Sequence, residues 1–172
     1  MRAILRLVVA LLGMMVVAGS SAARASEEHH SAEFERLKSL AGVWEGQSSD
    51  AKESKDVVRI EYSVTAGGNA VIEKLAVGSP YEMVSVYYDD HGKLQMTHYC
   101  AAGNRPELEL THSSSDRLEF SLSPRSTVDL NSMHIHELVV AFNDADHITE
   151  TWTGWLDGKK QKGSVFVLSR KK

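Results

Sequence analysis

Three histidines fall on strand faces that are otherwise apolar. His98 alternates with Leu94, Met96 and Cys100, while His134 and His136 alternate with Leu138, Val140 and Phe142. Residues two apart in a strand point to the same side, so both sets are expected to face the interior of the fold. Two imidazoles at i and i+2 stand about 7 Å apart, which suits two ligands on one metal ion. With His98 from another strand they would form a three-histidine set with an open position, for zinc or for a haem iron. The competing reading is a core histidine satisfied by a hydroxyl or carbonyl, and no Asp or Glu shares those faces to orient the rings.

Cys100 beside His98 suggests a nucleophile and its base. Two residues apart on one strand, however, they run side by side, and no third group is in view to orient them. Cys100 is also the only cysteine, so no internal disulfide can form, and a buried, inert thiol is expected. Glu73 lies among Val71, Leu75 and Val77, and Glu150 lies between Ile148 and Trp152. A carboxyl turned into an apolar interior would have a raised pKa and could act as general acid or base. A bulge would instead turn it to solvent. The pattern alone leaves both alternatives open for each residue.

Trp152, Trp155, Tyr87, Tyr88 and Tyr99 supply large rings that either fill an interior or line a pocket for an apolar ligand. The loop Gly103-Asn104-Arg105-Pro106 is placed to cover one mouth, with Arg105 able to meet an anionic headgroup. The candidate ligand contacts are therefore His98, Cys100, His134, His136, Trp152 and Arg105. Of the remaining histidines, His112 sits at a strand end and reads as structural, and His29, His30 and His91 read as solvated. No glycine-rich phosphate loop, paired CxxC, nucleophile elbow or HExxH helix is present.

The elements that must position these residues are mostly strands. Ser31 can cap a short helix with Phe34, Leu37 and Leu40 spaced three apart, stopped by Gly42. From Val43 onward the pattern has period two. Strands are expected near 43–47, 57–65, 70–77, 81–88, 93–100, 108–112, 117–122, 133–142, 147–156 and 164–170. Ala66-Gly67-Gly68-Asn69, Asp89-Asp90-His91-Gly92 and Asp157-Gly158-Lys159-Lys160 are turn sequences between them. About ten strands joined by tight turns are antiparallel neighbours, and closing so long a meander removes its exposed edges. The expected fold is all-β, an up-and-down antiparallel barrel with a short N-terminal helix. An open sheet or a two-layer sandwich is the alternative.

A short helix, then Gly42-Val43-Trp44 entering the first strand, then a meander, then Arg170 ending the last strand, resembles the calycin superfamily of lipocalins, fatty-acid-binding proteins and nitrobindin-like barrels. The resemblance implies that Trp44 plugs the closed end of the barrel and that Arg170 packs over its ring, with Gly42 completing the seal. The wording Leu40-Ala41-Gly42-Val43-Trp44-Glu45-Gly46, with Thr97-His98-Tyr99-Cys100 and Met133-His134-Ile135-His136, is most similar to uncharacterised exported bacterial proteins of the DUF1579-like kind.

Residues 1–25 read as a cleaved signal peptide: Arg2 and Arg6, an apolar run over Leu7–Ala18, then Ala23-Arg24-Ala25. Cleavage is expected before Ser26, with a cut after Ala22 as second choice. The run is too short for a comfortable membrane span, so a periplasmic or secreted protein without stable membrane insertion is expected. Residues 26–172 then form one barrel domain. Loss of the leader lowers the basic count from 19 to 16 against 23 acidic residues, a net charge of −7. That balance disfavours nucleic acid and anionic membranes as partners. Four functions fit: a barrel binding an apolar or amphiphilic small molecule, a zinc- or haem-binding version using the interior histidines, an enzyme using an interior His or Glu on a small substrate, and a purely structural or interaction role.

Overall fold

The computed structural model describes residues 30–49 and 57–172. The leader, its cleavage point, His29 and most of the loop after the first strand lie outside the described residues. Ser31 caps α1 (Ala32–Lys38), its hydroxyl accepting the Phe34 N–H, and Phe34 and Leu37 are the buried positions. The helix ends before Gly42: Ser39 is the C-terminal cap, and Gly42 instead opens the first strand with φ +134°.

The strands are β1 (Gly42–Ser48), β2 (Val57–Thr65), β3 (Ala70–Leu75), β4 (Met83–Asp90), β5 (Lys93–Tyr99), β6 (Glu107–Ser113), β7 (Arg117–Leu122), β8 (His134–Phe142), β9 (His147–Leu156), the two-residue β10 (Lys159–Lys160) and β11 (Ser164–Arg170). Every pairing is antiparallel. Ten of the strands close into a barrel, because β8 pairs with β9 and β11 lies between β9 and β1; β10 only extends a hairpin from β9. Tight turns make this possible. His91 and Gly92 both take positive φ (53° and 80°) between the paired residues Asp90 and Lys93, the backbone that matches strand twist in a two-residue hairpin. The closed meander is the expected architecture, and it leaves one continuous core.

Trp44 and Arg170 meet beside the end of α1. Trp44 is completely buried, and the Arg170 guanidinium lies 4.3 Å from its ring centroid. The same guanidinium donates to the carbonyls of Ser39 and Ala41, each at 2.9 Å, just past the end of α1. The Trp44 indole N–H donates to Leu40 O at 2.8 Å. Gly42 is required here, since its φ is left-handed and an added Cβ would sit 3.2 Å from the Arg170 guanidinium. A cation–π contact and three backbone hydrogen bonds thus bind the helix, the first strand and the last.

Candidate functional site

Strand register sets four polar groups in one row across the interior wall. Tyr62 on β2 pairs with Glu73 on β3, Glu73 with Ser85 on β4, and Ser85 with His98 on β5. All four are buried. Glu150 on β9 faces them, and it too is fully buried. Tyr62 donates its hydroxyl to Glu150 Oε1 at 2.6 Å, although β1 and β11 stand between their strands, so this bond crosses the barrel interior. The Trp152 indole donates to Glu150 Oε2 at 3.0 Å, and Tyr87 donates to Glu73 Oε2 at 2.6 Å.

Both carboxyls therefore point inward. Glu73 Oε1 has no protein donor, and the side chain meets the Glu150 carboxyl instead. Two carboxyls in contact need a proton between them, because two adjacent buried charges would repel. Glu150 already accepts from Tyr62 and Trp152, so Glu73 is the proton carrier and Glu150 the acceptor. Burial pushes the pKa of Glu73 well up, with the Glu150 charge adding to it, and burial also raises that of Glu150. Burial likewise raises the hydroxyls of Tyr62 and Tyr87, with the neighbouring carboxyls adding to the effect.

His98 links this network to a cavity. Its Nδ1 lies 3.0 Å from Ser85 Oγ, its ring packs 4.8 Å from that of Trp152, and its Nε2 is buried without a partner. Burial depresses its pKa to about 4, so the ring is neutral near pH 7. His98 and Trp152 form part of the wall of a cavity of about 110 Å³, with Leu75, Met83, Ile135 and Phe166 around them and Met133, Gly154, Lys162 and Ser164 completing it. Ser164 and Phe166 begin the strand that Arg170 ends, so the cavity lies at the opposite end of the barrel from the Trp44 seal. Between seal and cavity, the carboxyl and tyrosine network fills the middle of the barrel.

The structure does not bring His134 and His136 to His98. A β-bulge between Ile135 and Glu137 inserts His136 as an extra residue, so the residues before it change faces. Ile135 pairs with Gly154 and enters the cavity wall, while His134, itself buried, pairs with Trp155 and lies outside that wall. There His136 stacks on Trp155 at 4.1 Å, and its Nδ1 contacts His134 Nε2 at 3.1 Å. His134 Nδ1 lies 2.8 Å from the carbonyl of Ser132, which can only accept; Nδ1 therefore donates and Nε2 accepts from His136. Burial lowers the pKa of His136. Among the described residues, no group of three His, Cys, Asp or Glu is arranged to hold a metal ion. The donor set expected for zinc or haem therefore does not fit this arrangement.

Cys100 is half-buried rather than buried, just past the end of β5, with its sulfur 4.0 Å from Met83 Sδ and 3.5 Å from the Ala102 N–H. Met83, and not Cys100, reaches the cavity. Arg105 is exposed, with Glu107 3.9 Å away. Its loop does approach the mouth, since Asn104 donates to the carbonyl of Met133 at 2.6 Å. His112 is exposed at the irregular end of β6. Of the six expected ligand contacts, the cavity wall contains His98 and Trp152. Ser85 was missed because a serine on a strand carries no signal until its neighbours in register are known.

Comparison with protein-family models and with curated proteins finds no match to this sequence. The fold itself, a closed ten-strand antiparallel barrel, is consistent with a calycin-like architecture. Among the described residues, no helix is long and apolar enough to cross a membrane.

Proposed function

We propose that this protein is an exported, calycin-like barrel that binds a small apolar or amphiphilic molecule at the end remote from Trp44. One observation carries the reading: a buried imidazole nitrogen without a partner, on a residue in the wall of a mostly apolar cavity. Leaving such an atom unsatisfied costs about 1–3 kcal/mol, which a ligand supplying the missing hydrogen bond would recover. The cavity volume of about 110 Å³ falls below the roughly 300–1,000 Å³ of sites that enclose drug-sized ligands. The barrel therefore takes one ring or one end of a longer chain, and the remainder projects past the exposed Met133 and Lys162.

An acid–base enzyme is the second reading, favoured by inward Glu73 and Glu150 beside an inward His98. Neither carboxyl lines the cavity, so such chemistry would run only through Ser85 and the His98 ring. Native mass spectrometry of protein purified from its own source tests the binding reading. Expected is a retained small molecule, released on denaturation and lost in His98→Phe. A parent protein that retains nothing, and whose His98 signals respond to no small apolar probe, would refute it.

A further inference from the structure

We propose that the cavity wall and the thiol beside it hold a soft monovalent metal ion, Cu(I) or its analogue Ag(I), on His98 Nε2, the thioether sulfurs of Met83 and Met133, and Cys100 Sγ. Such an ion lies beyond the small-molecule reading above, because an organic occupant would compete with it for the same nitrogen.

Residues 26–172 contain three methionines, and two of them line this one cavity together with His98, whose Nε2 is buried without a partner. Met83 begins β4 two residues before Ser85, and Ser85 pairs with His98, so Met83 and His98 are diagonal neighbours across β4 and β5. Met133 reaches the cavity from the segment before β8, over Gly154: a Cβ there would stand 2.3 Å from the Met133 methyl carbon and 3.3 Å from its sulfur. Gly154 is two residues beyond Trp152 on β9, and the Trp152 ring lies 4.8 Å from that of His98. Cys100 stands outside the wall, with its sulfur 4.0 Å from Met83 Sδ and 3.5 Å from the Ala102 backbone nitrogen. Two sulfurs bound to one ion at about 2.3 Å each, with a trigonal angle between them, are about 4 Å apart. The Cys100 and Met83 sulfurs thus already have the spacing of two ligands. The Ala102 N–H favours the thiolate that binding would leave.

One nitrogen and three sulfurs, with no carboxylate among the described residues of the wall, select a soft ion. Leu75, Ile135 and Phe166 keep water away, and a single positive charge costs less to desolvate than two. An ion on Nε2 leaves the ring proton on Nδ1, where Ser85 Oγ at 3.0 Å accepts it and holds the ring in place. Binding therefore selects this tautomer, whichever one the free protein holds. Lys162 also lines the cavity, but it is exposed and its repulsion is screened by solvent, and loss of the Cys100 proton offsets the charge of the ion. A volume of about 110 Å³ suits an ion met by two flexible thioethers and excludes a porphyrin.

The probes are Ag(I), Cu(I) kept reduced with ascorbate, and Zn²⁺, added to folded protein labelled with ¹³C in the methionine methyls and ¹⁵N in the histidines. Expected is one Ag(I) or Cu(I) per chain by native mass spectrometry, with shifts of the Met83 and Met133 methyls and of His98 Nε2, and none of the fully buried Met96 methyl. Zn²⁺ should bind at least about ten-fold more weakly. Met83→Leu with Met133→Leu preserves volume and should lower Ag(I) affinity at least about a hundred-fold, Cys100→Ser should lower it about ten-fold or more, and Met96→Leu should stay within about two-fold of the parent. Ag(I) captured with both methionine methyls unmoved is adventitious binding at the thiol or at other histidines, and it would overturn the site. So would no binding, Zn²⁺ held as tightly, or an undiminished affinity in the Met83→Leu, Met133→Leu variant. A parent that retains an organic molecule but takes neither soft ion refutes the metal site and leaves the small-molecule reading standing.

Discussion

Acidification should destabilise this barrel through His98. The ring is buried and its pKa is moved from the ordinary 6.5 to about 4 by loss of contact with water. The unfolded chain takes up a proton near pH 6.5 that the folded barrel refuses until about pH 4. The stabilisation is therefore present at neutral pH and lost as pH falls through that interval. At about 1.4 kcal/mol per pKa unit, roughly 2 kcal/mol has gone near pH 5 and about 3 kcal/mol near pH 4. The carboxyl pair acts with the opposite sign. Glu73 and Glu150 hold their proton above the range of unfolded glutamates, so their contribution is greatest in acid and declines as pH rises through the raised values. A raw stability profile mixes the two effects, and His98→Gln separates them, because glutamine can still meet Ser85 but does not titrate. Urea unfolding of parent and variant, followed by tryptophan fluorescence near pH 7 and pH 5, gives the comparison. The parent should lose about 2 kcal/mol more than the variant, or about 1 M in urea midpoint for a slope of about 2 kcal/mol/M. Parallel losses in the two proteins would refute a buried neutral imidazole at position 98.

The remaining expectations concern the network and the seal. Glu73→Gln keeps a donor toward Glu150, so it should cost less than about 1 kcal/mol at neutral pH and flatten the alkaline decline, whereas Glu150→Gln puts an NH₂ group against existing donors and should cost about 1–3 kcal/mol. Thermal unfolding of the two variants checks the order, and the reverse order would move the proton to Glu150. Trp44→Ala should cost about 3–5 kcal/mol in urea unfolding, while the folded variant should still retain whatever small molecule native mass spectrometry finds on the parent. Gly46→Ala would place a Cβ 1.8 Å from the Val167 carbonyl oxygen, and a loss of about 3 kcal/mol or more, or failure to fold, is expected by circular dichroism.

Much of the barrel was legible because alternation is a local property. The paired inward positions of β2, β5 and β9 follow from residues two apart, and the turn at His91-Gly92 from its own two residues. The seal was legible through short wording at both chain ends. The carboxyl pair was half-legible: Glu73 sits between Val71 and Leu75 on an inward face, but its orientation is decided by partners far along the chain. Tyr62 and Glu150 are separated by 88 positions, and no window of sequence contains both. The turn of His134 away from the cavity had no local signal, since the bulge at His136 arises from how β8 matches β9. That one inserted residue exchanges two expected interior histidines for Ile135 and makes the cavity more apolar.

The position of β11 also governs when the chain can fold during synthesis. It follows every other described strand in the chain, yet it lies between β1 and β9, and Arg170 reaches the turn after α1 only once β11 has been made. Until then β1 and β9 each present an unpaired edge, and the Trp44 indole face lacks its guanidinium cover. Vectorial synthesis therefore delivers an open precursor of α1 and strands β1 to β10 whose closure waits for β11, a slow non-local pairing by its topology. A nascent chain held short of residue 170 would remain an unclosed sheet with two free edges, a substrate for holdase chaperones and a hazard for edge-to-edge association.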